Sequence, residues 1–257
     1  MLGNPYHYLA ISAVLAVCVV GQPVAGTHNP AITPDDFVPD VDNKYFTLVT
    51  GTQFTYEDRL GTRRIIVVVT NEKKKLMEVM TTGVRVTEWR NGVLTEDTTD
   101  WYAQDKAGNV WVFGEAVNIY IAGKVDHRNR SWEAGVDGAR PGIIVPADPQ
   151  PRDLYRQEYL PGRAENLGTV VATDKKVTVP YGTLEKCVQI EDANILMSAV
   201  EQKYYCPAIS FLALEEVADG ADVELISISR VRAAQRPQTG QGDEAQYLPS
   251  SGNSHAK

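Results

Sequence analysis

Short runs in which apolar and polar residues alternate make up the chain from residue 45 to about residue 232. Val, Ile, Thr, Tyr and Trp are frequent in these runs, and Gly, Asn, Asp and Pro separate them. Alternation places every second side chain on one face of a strand, and these residue types favour strands. No window of helical length shows a sustained apolar repeat at i, i+3 and i+4. The pattern predicts strands at residues 53–59, 64–70, 76–82, 84–90, 93–99, 101–104, 110–113, 117–122, 154–159, 168–173, 176–179, 184–191, 200–206, 211–217 and 223–231.

Tight turns join several of these runs. Asn91 and Gly92 lie between two alternating runs, and both central positions of a type I′ turn need the positive φ that these residues tolerate. Ala122-Gly123 and residues 105–109 predict two further hairpins, and the lysine run at residues 73–75 is interpreted as a hairpin tip. Successive hairpins form a meander, which must curl or fold over to bury one face. We therefore predict an all-β fold, a single antiparallel meander domain built as a half-open barrel or a two-layer sandwich.

The first 26 residues have the features of a cleavable signal peptide. They contain no Asp, Glu, Lys or Arg, and residues 9–20 form an apolar run that is short for a membrane span. Val24-Ala25-Gly26 offers the small residues at which a signal peptidase cleaves. We expect a secreted or periplasmic protein with no transmembrane span after cleavage. Lipid attachment at Cys18 is a less favoured alternative, because the bulky Val17 precedes it.

The remaining segments outside the predicted strands differ in composition. Residues 27–44 are rich in Pro, Asp and Asn and predict a surface linker, which leaves residues 45–232 as the β domain. Residues 127–152 carry many Gly and Pro residues and predict a long ordered loop, a kind of segment that often carries function. Residues 233–257 contain too little apolar surface to fold and predict a disordered tail.

Composition and charge narrow the classes of partner. The chain has 257 residues, of which 43% are hydrophobic and 23% charged, with a formal net charge of −8. These values are typical of a globular domain. The negative charge argues against nucleic acid and anionic membrane surfaces, because both recruit clustered Lys and Arg.

Two cysteines remain once the signal peptide is removed. Cys187 and Cys206 lie on two predicted strands, near the open end of the hairpin that these strands would form. Export would place them where a disulfide persists. We predict a structural Cys187–Cys206 disulfide that contributes about 3 kcal/mol by loop closure, with two unpaired thiols as the alternative.

Motifs of known catalytic classes are absent from the sequence. His127 is the only histidine within the predicted domain, so a zinc site or a Ser-His-Asp triad would depend on that one residue. The chain has no Gly-x-Ser-x-Gly, no His-Glu-x-x-His and no phosphate-binding Gly-rich loop. Hydrolase, zinc-enzyme and nucleotide-binding functions are therefore disfavoured.

Carboxylates and aromatic rings remain as candidate chemistry. A pair of carboxylic acids could act on a glycan, and oxygen ligands could hold calcium, although carboxylates are also ordinary on the wet face of a strand. Tryptophans beside carboxylates would suit a cleft that binds a sugar or a lipid, or they could simply form the core. The candidate catalytic residues are Glu115, Glu133, Asp137 and Glu158, and the candidate binding residues are Trp101, Tyr102, Asp105, Trp111, Glu115, Trp132, Glu133 and Asp137.

Several blocks of sequence together resemble an uncharacterised family of bacterial secreted proteins and lipoproteins. They are residues 100–105 (DWYAQD), 108–111 (GNVW), 113–115 (FGE) and 131–138 (SWEAGVDG). The resemblance implies export and a β-rich domain, and it implies no activity. Because the chain lacks a catalytic histidine and any nucleophile motif, we expect an exported, non-catalytic binding or envelope-associated protein. We expect no cofactor, with a calcium ion as the open alternative. The alternatives are a carboxylate-based enzyme acting on a polysaccharide, and a carrier of lipids or lipoproteins.

Overall fold

The computed structural model describes residues 30–126, 131–196, 199–217, 220 and 222–231. The predicted signal peptide with Cys18, the predicted tail at residues 233–257, and His127 lie outside the described residues. Within the described residues no helix is long and apolar enough to cross a membrane.

Over the described ranges, strands account for nearly all of the regular structure, and the single helical element is a 3-10 turn at Pro34–Asp36. The strands are β1 (Phe37–Val38), β2 (Asp42–Asn43), β3 (Phe46–Thr47), β4 (Thr52–Asp58), β5 (Arg63–Leu76), β6 (Val79–Arg90), β7 (Val93–Asp105), β8 (Val110–Ile121), β9 (Lys124–Asp126), β10 (Trp132–Glu133), β11 (Gly142–Val145), β12 (Leu154–Leu160), β13 (Ala164–Val179), β14 (Gly182–Asn194), β15 (Ala199–Cys206), β16 (Phe211–Val217) and β17 (Val223–Arg230).

Fifteen of these strands form one antiparallel sheet. Its main path runs β10-β8-β7-β6-β5-β4-β17-β16-β15-β14-β13-β12, and β2 with β3 forms a small second sheet. The chain therefore meanders outwards from β4 in one direction and returns to β4 through β17. The predicted all-β antiparallel meander is confirmed.

The long sheet curls but does not close into a barrel. β11 pairs with β8 on one side. On its other side the segment approaches β12, where the Arg140 amide donates to the carbonyl of Tyr159 at 2.8 Å. A Cβ atom on Gly142 would lie 2.3 Å from the carbonyl oxygen of Gln157, so only glycine permits this approach. Residues 140–145 thus bridge the two ends of the curled sheet.

Apolar side chains pack in two clusters. The larger lies on the concave inner face and includes Tyr56, Val67, Tyr205 and Phe211. The smaller lies between the β5–β8 part of the sheet and the covering segment of residues 131–145, and it includes Trp101. Because strands alternate their side chains, a curled sheet of this length can support one core on each face.

Several predicted strand boundaries are wrong because turns formed at unexpected residues. Residues 76–82 contain a turn at Met77 and Glu78, which adopt φ of 47° and 66°. The lysine run at residues 73–75 consequently lies within β5 and is not a hairpin tip. Elsewhere predicted neighbours merge into the longer strands β7, β8 and β13. The predicted turn at Asn91-Gly92 is confirmed, with φ of 50° and 75°.

The interpretation of residues 27–44 as a surface linker is wrong for its described part. β1 pairs with β7, and the side-chain oxygen of Gln104 accepts hydrogen bonds from the amides of Asp42 and Asn43 at 2.9 and 2.8 Å. Val41 is buried in the inner core. A side chain from a distant strand thus satisfies backbone donors that the local sequence leaves free.

The predicted disulfide joins Cys187 of β14 to Cys206 of β15, and their Cα atoms lie 4.1 Å apart. The neighbouring residues Val188 and Tyr205 are directly paired in the ladder. The bridge therefore closes the open end of this hairpin, as the sequence predicted.

Candidate functional site

The concave face of the sheet holds a cavity of about 190 Å³, which we call the inner cavity. Its floor is aromatic: Phe46 lies 5.0 Å from the Tyr102 ring and 4.7 Å from the Phe211 ring, measured between centroids. Its walls combine apolar side chains with three charged ones. The lining residues are Phe46, Tyr56, Ile65, Val67, Val84, Val86, Asp100, Tyr102, Lys203, Tyr205, Phe211, Leu212, Glu215 and Val223.

Strand register places a group of carboxylates beside this cavity. Asp100 of β7 lies directly opposite Glu115 of β8. Glu158 of β12 comes from the far side of the curled sheet, and its carboxyl group is hydrogen-bonded to that of Glu115. We call Asp100, Glu115 and Glu158 the carboxylate cluster. The sheet must curl for this cluster to form, because β8 and β12 occupy opposite ends of the strand path.

Among the described residues the cluster has no ion-pair partner, whereas Asp192, Glu201, Glu88 and Glu215 each have one. Lys203 Nζ lies 2.6 Å from Asp192 Oδ2 and 3.2 Å from Glu201 Oε2. Arg63 lies 3.0 Å from Glu88 and 3.6 Å from Glu215. Lys203 and Arg63, the two cations that the described residues place on the inner face, are therefore already paired.

Hydrogen bonds within the described structure only partly satisfy the carboxylate cluster. The Tyr102 hydroxyl donates to Asp100 Oδ2 at 3.2 Å. No Lys or Arg of the described residues lies within ion-pair distance of Asp100, Glu115 or Glu158. Each of the three side chains keeps partial exposure to solvent. They form a partly enclosed acidic wall that a positive group could neutralise.

Burial and mutual repulsion shift the protonation equilibria of this cluster. Burial, reinforced by the charge of Glu158, raises the pKa of Asp100 to about 7. Burial and the charge of Asp100 raise the pKa of Glu115 to about 7. Burial and the neighbouring Glu115 raise the pKa of Glu158 well above its usual value. The cluster thus retains protons at pH values where an exposed carboxylate has lost them.

Lys203, unlike the carboxylate cluster, is stabilised in its charged form. Burial opposes its positive charge, but Asp192, Glu215 and Glu201 together raise the pKa of Lys203 well above its usual value. Lys203 therefore stays charged and committed to its own carboxylates. It also holds Asp192 in place, with Asn166 donating to the other carboxylate oxygen at 3.0 Å.

Two other predicted binding residues, Asp105 and Trp111, have structural roles. Asp105 ends β7, and its carboxylate accepts from the Trp111 indole N–H at 2.8 Å and from the Asn109 amide at 2.9 Å. These hydrogen bonds explain the sequence Asp105-x-x-Gly108-Asn109-x-Trp111. It forms a hairpin turn in which the Asp105 side chain binds the backbone of the same turn. Trp111 packs edge-on against Phe37, with ring centroids 6.2 Å apart.

The remaining predicted residues lie away from the cavity. Trp101 and Trp132 are buried in the smaller core. Glu133 forms an ion pair with Lys74, and Asp137 is exposed in a turn. Of the predicted residues, the structure brings Tyr102, Glu115 and Glu158 together on the inner face. It does not bring Glu133 or Asp137 to them.

Besides most of the apolar lining, sequence reasoning missed four charged residues of this site: Asp100, Asp192, Lys203 and Glu215. Alternation alone could have flagged Lys203, because it shares a strand face with the aromatic residue at 205. Which distant carboxylates it meets depends on strand pairings that no local pattern reveals. In the described ranges, no group of three or more His, Cys, Asp or Glu residues is arranged to hold a metal ion, and the calcium site stays a prediction.

No protein-family model, curated protein or solved structure matches this chain.

Proposed function

We propose that this chain is an exported, non-catalytic binding protein that holds a small amphipathic ligand with a positively charged group in the inner cavity. The observation that carries the proposal is the pairing of an aromatic and aliphatic cavity with a carboxylate, Asp100, that has no cation partner in the described structure. An apolar body would contact the floor, and a protonated amine would meet Asp100. A few well-placed polar groups in an apolar cavity are typical of small-molecule sites.

The cavity volume bears on the alternatives. About 190 Å³ is below the usual range of pockets for drug-sized ligands, so a lipid with two acyl chains would not fit without movement of the sheet.

The hydrogen bond between Glu115 and Glu158 holds these carboxyl groups closer than the separation used in glycoside hydrolysis. The geometry therefore favours binding of a small ligand over the lipid carrier or the polysaccharide enzyme.

The disulfide supports the proposed export, since disulfides persist in oxidising compartments. Mass measurement of the chain recovered from its host tests this part. We expect a mass that corresponds to cleavage after Gly26 or close to it. A chain recovered with residues 1–26 intact would overturn the proposed signal peptide.

Calorimetric titration with three ligands of equal chain length tests the binding site: hexylamine, hexanol and hexanoate. We expect hexylamine to bind best and hexanoate worst. Affinity for hexylamine should increase as the pH rises through about 7, because Asp100 then becomes charged while the amine remains protonated. Hexanol should show no such dependence.

A substitution at Asp100 tests the contribution of its charge separately from that of the apolar cavity. Asp100→Asn should remove the preference for hexylamine over hexanol and leave the affinity for hexanol nearly unchanged. Asp97→Asn is the matched control, because Asp97 lies on the outer face of the same strand and pairs with Arg85. Equal binding of hexanoate and hexylamine, or an equal loss in both variants, would contradict the proposed function.

A further inference from the structure

The sheet opens between β16 and β17. β17 pairs with β4 from its first residue to its last, but it pairs with β16 at only two positions. The ladder between β16 and β17 ends where Leu214 lies opposite Glu224. If the same register continued, Ser210 would lie opposite Ile228. The two segments instead separate, and a gap forms within the sheet.

A groove of about 290 Å³ occupies this gap, and we call it the edge groove. Ser210 and Ile228 both line it, and so do Ala208 and Arg230, which the same register would also place opposite each other. The lining residues are Thr47, Val49, Thr52, Phe54, Tyr181, Ala208, Ile209, Ser210, Ile228 and Arg230. The edge groove shares no lining residue with the inner cavity.

Backbone groups around part of the gap are already bonded. On the β16 side, the carbonyl of Ser210 accepts from the amide of Thr47 at 2.8 Å. On the β17 side, the carbonyl of Leu225 accepts from the amide of Tyr181 at 3.0 Å. The turn that follows β13 therefore covers the start of the β17 edge, and the rest of that edge lies beyond it.

Ile228 and Arg230 direct their backbone N–H and C=O groups into the gap. The amide of Val231 donates to the carbonyl of Gly51 at 2.8 Å, so it points towards the β4 side. Alternate residues of a strand point the same way, so Ser229 also faces β4, and Ile228 and Arg230 face the opposite side. Within the described ranges no group bonds to these backbone donors and acceptors. An unpaired strand edge is a template for a further strand.

The edge groove also carries one cation and no carboxylate. Arg230 Nη1 lies 3.4 Å from the carbonyl oxygen of Thr50, and among the described residues Arg230 has no ion-pair partner. None of the lining residues is Asp or Glu. In a chain with a formal net charge of −8, this rim is therefore a local site for a negatively charged group.

Apolar side chains form the other part of the lining. Val49 and Tyr181 are 46% and 44% exposed, although each lines the groove. Ile209 and Ile228 are half-buried beside them. An apolar side chain that entered the groove would cover this surface.

We infer that the edge groove binds an extended, acidic peptide segment of another protein, which adds as a strand antiparallel to β17. The peptide backbone pairs with Ile228 and Arg230, one aliphatic side chain packs against Val49 and Tyr181, and one carboxylate meets Arg230. In this mode of recognition the main-chain bonds supply affinity and the side-chain contacts supply specificity. The inference concerns a second site and does not require that the inner cavity hold a ligand.

The chemistry of the gap favours a peptide over a small apolar ligand or a second copy of this chain. A small apolar ligand would leave the backbone donors and acceptors of Ile228 and Arg230 unpaired, whereas a peptide backbone repeats its own at the spacing of a strand. Residues 208–210 and Tyr181 bound the gap on its other side. The gap therefore fits one extended chain better than the edge of a whole second sheet.

Residue-level amide exchange in the full chain tests the inference, with the acetylated peptide amide Val-Thr-Val-Thr-Glu as the probe. The amides of Ile228 and Arg230 should exchange rapidly in the free chain and at least about ten-fold more slowly with saturating peptide. The amides of Ser227 and Ser229 are the internal control, because they face β4 and should exchange slowly in both states.

Methylated peptides separate backbone pairing from side-chain contact. In an added strand only alternate amides face β17. We therefore prepare two peptides, each N-methylated at one of two adjacent residues. Calorimetric titration should show that one loses at least about ten-fold in affinity and that the other keeps most of it.

Substitution of Arg230 tests the charged contact. The wild type should bind the Glu peptide about three-fold more tightly than the same peptide with Gln in that position. Arg230→Gln should abolish this preference. Arg64→Gln is the matched control, because it removes an exposed arginine on the outer face, and it should leave the preference unchanged.

Four outcomes would overturn the inference. The peptide could fail to bind, or it could bind without slowing the amides of Ile228 and Arg230. Both methylated peptides could lose affinity equally. Finally, these two amides could already exchange slowly without peptide, which would show that the edge is covered by the chain itself or, if the protection rises with protein concentration, by a second copy. None of these results depends on hexylamine binding, so this inference and the proposed function fail separately.

Discussion

Asp100→Asn should remove the part of the pH dependence of the free energy of unfolding that Asp100 contributes, and leave the part that Glu115 and Glu158 contribute. In the unfolded chain this carboxyl group releases its proton near its ordinary pKa of 3.8, whereas in the folded protein burial raises the pKa to about 7. Between these values the folded state holds more protons. The contribution of Asp100 to the free energy of unfolding therefore falls as the pH rises from about 4 to about 7 and then levels off.

The structure sets the size of this effect. One pKa unit corresponds to about 1.4 kcal/mol, so the rise from 3.8 to about 7 corresponds to at most about 4 kcal/mol. Water reaches the side chain and screens its charge, so we expect about half of that value. Asparagine has no titrating group, retains an oxygen for the Tyr102 hydroxyl, and should be more stable than the wild type by about 2 kcal/mol at pH 8. The two proteins should differ little at pH 4.

Urea unfolding at several pH values between about 4 and 8 measures the free energy of unfolding of the wild type and of Asp100→Asn as a function of pH. Asp97→Asn serves as the control, because its carboxylate lies on the opposite face of β7 and pairs with Arg85. Parallel curves for the wild type and Asp100→Asn would refute the reasoning, because burial of Asp100 would then carry no free-energy cost. A change of slope as large in the control would refute it as well.

Three further variants test the frame around the cavity. Replacing Cys187 and Cys206 by Ser opens a bridge with a sequence separation of 19 and should lower the free energy of unfolding by about 3 kcal/mol; no difference from the reduced wild type is expected. Asp105→Ala removes the acceptor of several turn hydrogen bonds and should cost about 2 kcal/mol in urea unfolding, with a smaller cost for Asn. Gly142→Ala forces a Cβ against the carbonyl of Gln157 and should lower the free energy of unfolding by about 1 to 3 kcal/mol, measured by thermal unfolding. A neutral result would show that the bridging segment can move away from β12.

Local patterns predicted the parts of this fold that depend on near neighbours in sequence. Alternation identified most of the strands, and the conformational preference of Asn91-Gly92 identified one turn correctly. The same reasoning missed the turn at Met77-Glu78, where neither residue is a usual turn former. Pairing with distant partners decided that position, because the long ladder between β5 and β6 fixes where the chain must reverse.

The candidate site shows the same division. Its carboxylates at 115 and 158 could be named from the sequence, but they could not be distinguished from Glu133 and Asp137, because all four occur among strands and turns with similar composition. Only the structure shows that the first two lie on the concave face and the other two outside it.

Local patterns in the chain predicted the class of secondary structure and favoured the pairing of Cys187 with Cys206 over two free thiols. They also predicted export, which concerns residues outside the described ranges. Which charges face one another depends instead on contacts between strands that are distant in sequence. Asp100 and Glu115 meet through the register of β7 and β8, and Glu158 joins them because the sheet curls until its two ends approach. Side-chain alternation is a local property with a period of two residues. Register and curvature are properties of the whole sheet, and the electrostatic character of the inner cavity depends on them.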